Sequence, residues 1–141
     1  MAKEFIKLKM TMEIFDLGKK DISIIKEDAV MQQKGDLTVI TFTENEGKEN
    51  ETKSMITIKV DEISVKRSGA VSMLQKFRKK ETTENVYRHP YGTILMKTKT
   101  DQLQADLDTG EIFISYTTSL NGGDPRRHRL TIQINERSAS K

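Results

Sequence analysis

Four polar side chains fall on the apolar side of alternating stretches of this chain. Arg67 shares parity with Ile63 and Val65, and Gln75 with Val71, Met73 and Phe77. Tyr116 shares parity with Ile112, Ile114 and Leu120, and His128 with Leu130, Ile132 and Ile134. A polar group turned toward an apolar interior costs free energy unless it is paired or liganded. These residue types suit binding. A guanidinium receives an anionic head group, while an amide, a phenol and an imidazole orient a ligand through hydrogen bonds. Phe77, with Val71, Met73, Leu95 and Met96, would supply apolar walls. Each also has an ordinary structural use. Arg67 can snorkel into water or pair with an internal acid. His128 can sit at a rim on a backbone partner, and Gln75 and Tyr116 can be satisfied core groups.

Templates for catalysis are absent. The chain has no G-x-S-x-G elbow, no Walker-A loop, no G-x-G-x-x-G and no H-E-x-x-H. His89 and His128 have no metal-spaced partners. The lack of Cys excludes thiolate chemistry, disulfides and Cys-based metal sites. A non-enzymatic protein without a cofactor or metal is expected.

The elements that would carry these side chains are strands. Ile6, Leu8, Met10, Met12 and Ile14 alternate with Lys7, Lys9, Thr11 and Glu13, a period of two that no helix would show. Similar stretches follow at 21–33, 37–44, 52–60, 62–67, 70–78, 82–88, 91–99, 101–107, 111–120 and 127–135. The adjacent Ile24–Ile25 suggests a bulge in the second strand. Turn signals stand at Gly18, Gly35–Asp36, Ser68–Gly69, Asp108-Thr109-Gly110 and the NGGDP run at 121–125. A two-residue turn at Ser68–Gly69 would pair Arg67 with Ala70. About ten short, evenly spaced strands predict an all-β single domain over 1–136, with a frayed tail at 137–141. Closure into an antiparallel barrel would remove the exposed edges of so much strand.

Bulk properties agree. At 141 residues the chain suits one domain with its own core. The N-terminal segment has Lys at 3, 7 and 9 and no continuous apolar run, so no signal peptide is expected. No window reaches the apolar length of a helical membrane span. A cytoplasmic protein, monomeric or homodimeric, is the expectation.

Charge is uneven. Residues 66–99 carry a net +7, against −3 for residues 1–65 and −1 for residues 100–141. Lys76, Arg78, Lys79 and Lys80 could meet phosphates of RNA or an acidic protein. Alternating Lys on a strand is also ordinary protection against aggregation. The aromatic spacing lacks a stacking motif, so nucleic acid is not the expected partner.

The runs VKRSGAVSMLQKF at 65–77 and PYGTILMKTKT at 90–100, with Tyr87, GEIFISY at 110–116 and LTIQI at 130–134, carry a resemblance. In these segments the chain resembles the YwiB-like family of small bacterial proteins of unknown function. That resemblance implies a calycin-like, lipocalin-type barrel and carries no catalytic or binding residues with it. The functional expectation is a barrel holding a small amphipathic or anionic molecule against Arg67, Gln75, Phe77, Tyr116 and His128. The alternatives are a surface module acting through the basic 66–99 face, or a ligand-free structural or oligomeric protein.

Overall fold

The computed structural model describes residues 3–136. Ten strands follow in order: β1 Lys3–Asp16, β2 Lys19–Lys34, β3 Leu37–Glu44, β4 Thr52–Ile58 and β5 Ile63–Gly69, then β6 Ser72–Phe77, β7 Thr82–His89, β8 Gly92–Asp106, β9 Glu111–Leu120 and β10 Arg126–Glu136. Every strand pairs antiparallel with its sequence neighbours, and β1 pairs with β10 to close the barrel. The all-β barrel expected from alternation is therefore present, with ten strands. The tail at 137–141 lies outside the described residues.

A meander of this kind places its connections alternately at two ends. One end carries the turns or loops after β1, β3, β5, β7 and β9, and the other those after the even strands. The second end is packed solid. Ile6, Leu8, Ile40, Ile56, Ile63, Phe77, Ile112, Ile114 and Ile132 are fully buried there and toward the middle of the barrel. Each such side chain contributes roughly 1.5–3 kcal/mol by leaving water, and β-branched residues suit the pleated wall. Glu62, almost wholly buried, closes this end by accepting a hydrogen bond from Arg78 Nε, with Lys59 3.8 Å away. The hydrogen bond from Arg78 holds the Glu62 carboxyl below its ordinary range, outweighing the opposing effect of burial.

Three local expectations are corrected. The stretches 91–99 and 101–107 are one strand, β8, with a register shift between Thr100 and Gln102. That bulge explains why Thr98 and Thr100 face inward at even numbers while Leu103 packs on the core at an odd one. The bulge expected at Ile24–Ile25 is absent: β2 pairs with β1 residue for residue from Lys19 to Gln32. Ile24 simply faces outward, more than half exposed. The third concerns Ser68–Gly69, which is not a two-residue turn. Gly69 continues β5 against Thr52, and Arg67 pairs with Met73 rather than Ala70. A Cβ on Gly69 would lie 2.5 Å from the Glu51 carbonyl oxygen at a φ of +118°, so the strand runs on because no side chain obstructs it.

Candidate functional site

Above the packed half, the lumen changes character. A cleft of about 390 Å³ opens among Met12 and Ile14 of β1, Met73 and Gln75 of β6, Tyr87 and His89 of β7, Ile94 and Met96 of β8, Tyr116, Thr118 and Leu120 of β9, and Arg126 and His128 of β10. Such a volume suits a small ligand. The three methionines give flexible, polarisable walls that adapt to irregular shapes.

Its floor and one wall are a stack of rings. Phe77 is completely buried and meets the Tyr116 ring at 4.7 Å with a 59° tilt. Tyr116 in turn lies parallel to the His128 ring, also at 4.7 Å. The register makes this stack inevitable, because His128 is directly opposite Tyr116 across the β9–β10 ladder and opposite Ile14 across β1–β10. Cross-strand ring pairs of this kind stabilise a sheet locally. Nearby, Tyr87 stacks with His89 at 6.1 Å, and the Tyr91 ring meets His89 at 5.2 Å with a 31° tilt.

The polar atoms are sparse and mostly committed. Gln75 Nε2 donates to Thr98 Oγ1 at 3.0 Å. The Tyr116 hydroxyl donates to Met12 Sδ at 3.5 Å, and burial pushes its pKa further up, so it stays a neutral phenol. His128 Nε2 and Thr118 Oγ1 share a hydrogen bond of 2.7 Å. His128 Nδ1 is buried and has no hydrogen-bond partner. Burial first, and then the charge of Arg126, press the His128 pKa down to about 4. The imidazole is thus neutral at pH 7, with one ring nitrogen uncommitted.

This depression has a measurable consequence. The unfolded chain protonates His128 near its ordinary 6.5, while the folded barrel resists until about 4. Stability contributed by the neutral ring is therefore full above about pH 6.5 and is lost as pH falls toward 4. Urea midpoints of wild type and His128→Gln, measured at pH 7.5, 6.5, 5.5 and 4.5, should converge as pH drops. Parallel curves would show that the ring is not held neutral.

Sequence reasoning placed five residues at this site. Gln75, Tyr116 and His128 do come together on the cleft wall. Phe77 lies below it, as core floor rather than lining. Arg67 is not part of the cleft lining. It points to the inward side of β5, half-buried, with Nη2 3.4 Å from Glu44 Oε1. Its charge is answered by the carboxylate at the end of β3, a neighbour no local pattern reveals. Of the expected walls, Met73 and Met96 line the cleft, whereas Leu95 faces solvent and Val71 belongs to the β5–β6 turn. The cation at the mouth is instead Arg126, whose Nε sits 3.3 Å from Asp16 Oδ2. Arg126 has the parity of His128 two residues earlier. Starting the last strand at 127 hid it.

Chemically, a threonine hydroxyl on an imidazole has the make-up of a nucleophile–base pair. A triad would add a third group orienting Nδ1, and among the described residues there is none. No group of three or more His, Cys, Asp or Glu is placed to hold a metal, again among the described residues. In the basic 66–99 stretch, Arg67, Arg78 and Lys97 each pair with an acid, Glu44, Glu62 and Glu84 respectively.

Comparison with known proteins gives concordant results. Over 82 residues the chain is 34% identical to the "Uncharacterized beta-barrel protein YwiB" of Bacillus subtilis, covering 57% of this chain and 58% of that protein. The chain thus aligns with little more than half the length of this relative. The crystal structure of the ywiB protein from Bacillus subtilis superimposes with a TM-score of 0.82 at 26% identity, covering 96% of this chain and 94% of that one. Residues 6–132 match a family described as a domain of unknown function, DUF1934. With nearly the whole barrel inside that match, the chain belongs to the DUF1934 family.

Proposed function

We propose that this barrel is a non-enzymatic, cytosolic binding protein that takes one small amphipathic molecule into the cleft. The apolar body would lie among Met12, Met73, Met96 and Ile94, and the polar head near His128 and Arg126. The observation that carries this reading is the buried, unpartnered His128 Nδ1 in the wall of an apolar cleft. A buried polar atom without a partner costs roughly 1–3 kcal/mol, and a ligand that hydrogen-bonds it recovers that cost. The missing orienting group argues for binding rather than for nucleophilic catalysis. Because the imidazole is neutral, anion recognition would fall to Arg126, which must be shared with Asp16.

Decanol and decanoate separate the two head groups. Ligand binding raises stability by mass action, by about 2.7 kcal/mol when the ligand is at a hundred times its Kd. At saturation the melting temperature should rise by several degrees with at least one probe. Arg126→Gln should remove the decanoate shift selectively. A melting temperature unmoved by both probes rejects the proposal.

A further inference from the structure

The β1–β2 hairpin is longer than the rest of the barrel wall beside it. β2 pairs with β1 along almost its whole length, from Lys19 to Gln32. Its other side pairs with β3 only from Val30 to Lys34. Residues 19–27 therefore present a strand edge with no β3 ladder, and alternate backbone N–H and C=O groups along it face outward. Beside this edge, on the outer face, Ile22 and Ile24 are 54% and 55% exposed.

The charges of this segment are ordered. On one face it runs Lys19, Asp21, Ser23, Ile25 and Glu27, and on the other Lys20, Ile22, Ile24 and Lys26. Lysines on an edge ordinarily keep other strands away. Here an antiparallel copy of the same segment can set Lys19, at one end of a face, against Glu27 at its other end. A two-fold axis normal to the sheet relates residues of equal parity, since directly opposed residues share a face. With Ser23 on that axis, Lys19 stands opposite Glu27 of the other copy and Ile22 opposite Ile24. Lys20 and Lys26 form a like-charged pair, but on the solvent side, where water and salt screen it. Glu27 is suited to receive a lysine. Its carboxyl is half-buried at the gap between β2 and β3, and among the described residues it has no ion pair. Burial, with the carboxylates of Glu44 and Asp28, pushes its pKa up, as expected where negative charge lacks a counterion.

We infer that the β2 edge at residues 19–27 is a self-association surface, on which a second copy of this chain adds antiparallel to make a sheet continuous across two barrels. Ladder hydrogen bonds would give cohesion, as in other cases of strand addition. The Ile22–Ile24 contacts and the Lys19–Glu27 pairs would set register.

The test uses charge reversal and the mass in solution. Sedimentation of wild type at about 100 µM should give twice the chain mass. Lys19→Glu sets acid against acid at both 19–27 positions, and Glu27→Lys sets base against base, so each variant alone should sediment as a monomer. Mixed in equal amounts, the two should form a heterodimer. The same low-salt buffer is used throughout. A monomeric wild type overturns the inference, as do variants that remain dimeric alone or a mixture that stays monomeric. Circular dichroism of each variant distinguishes lost association from lost folding, and the mixing experiment requires both variants to be folded.

Discussion

Phe77→Ala should lower the stability of the barrel by about 3–5 kcal/mol, with a fall in melting temperature of roughly 10 °C or more. Phe77 is completely buried, on the ring stack that continues through Tyr116 to His128. Removing it withdraws a large apolar surface and leaves a void at the centre of the lumen, which a closed sheet has little freedom to collapse around. The sequence placed Phe77 among ligand-binding residues, and the two roles give opposite results. A cleft residue would lose ligand affinity at small cost in stability. A floor residue loses stability first, and affinity changes only as the Tyr116 and His128 rings slip. Thermal unfolding of Phe77→Ala beside Phe77→Leu, with and without decanol, separates them. The Leu variant should recover a good part of the lost stability. A fall of less than about 1 kcal/mol for Phe77→Ala would show that the floor is not packed as described.

Gly110→Ala should be a severely damaging single-methyl change, costing on the order of 3 kcal/mol. Gly110 ends the turn between β8 and β9 at a φ of +76°, a region that L residues with a Cβ avoid. The turn itself is anchored by Asp106, whose carboxylate accepts hydrogen bonds from the amides of Asp108 and Thr109. Space is the larger obstacle. A Cβ there would stand 2.3 Å from the Ile134 carbonyl oxygen. The Gly110 carbonyl also accepts from the Ile134 amide at 2.7 Å, so the turn cannot back away without releasing β10. Gly35 is the natural control, since it also has positive φ, +61°, but open space around it. Gly35→Ala should cost only about 1 kcal/mol. Urea midpoints of the two variants give the comparison directly, and equal losses would mean that conformation alone, not the approach of Ile134, governs Gly110.

Much of this barrel was legible from alternation because a period of two is both a local and a global property. Once one face is buried, parity fixes which residues meet in the lumen. Gln75, Tyr116 and His128 were found together that way. The failures share a cause as well. Arg67 has the right parity, but its fate depended on Glu44, far away in sequence, and ion pairs leave no local pattern. Leu95 was given an inward role, yet the inward parity of β8 runs through Met96, Thr98 and Thr100 until the bulge reverses it. Parity locates a side chain only when the register is unbroken, and an interruption such as the Thr100–Gln102 shift is set by the neighbouring strand.

The pairing of β1 with β10 sets a condition on how the molecule is made. Every other seam joins strands adjacent in sequence and can zip from a short turn. The last seam aligns Ile6 with Glu136 and Ile14 with His128, and its loop-closure entropy must be met before any contact rewards it. On a ribosome, β2 to β9 can pair as they emerge, while one edge of β1 stays without its β10 partner until that strand arrives. The strand that completes the wall also brings His128 and Arg126. A nascent chain therefore cannot engage a ligand through these two residues before it has become a closed barrel.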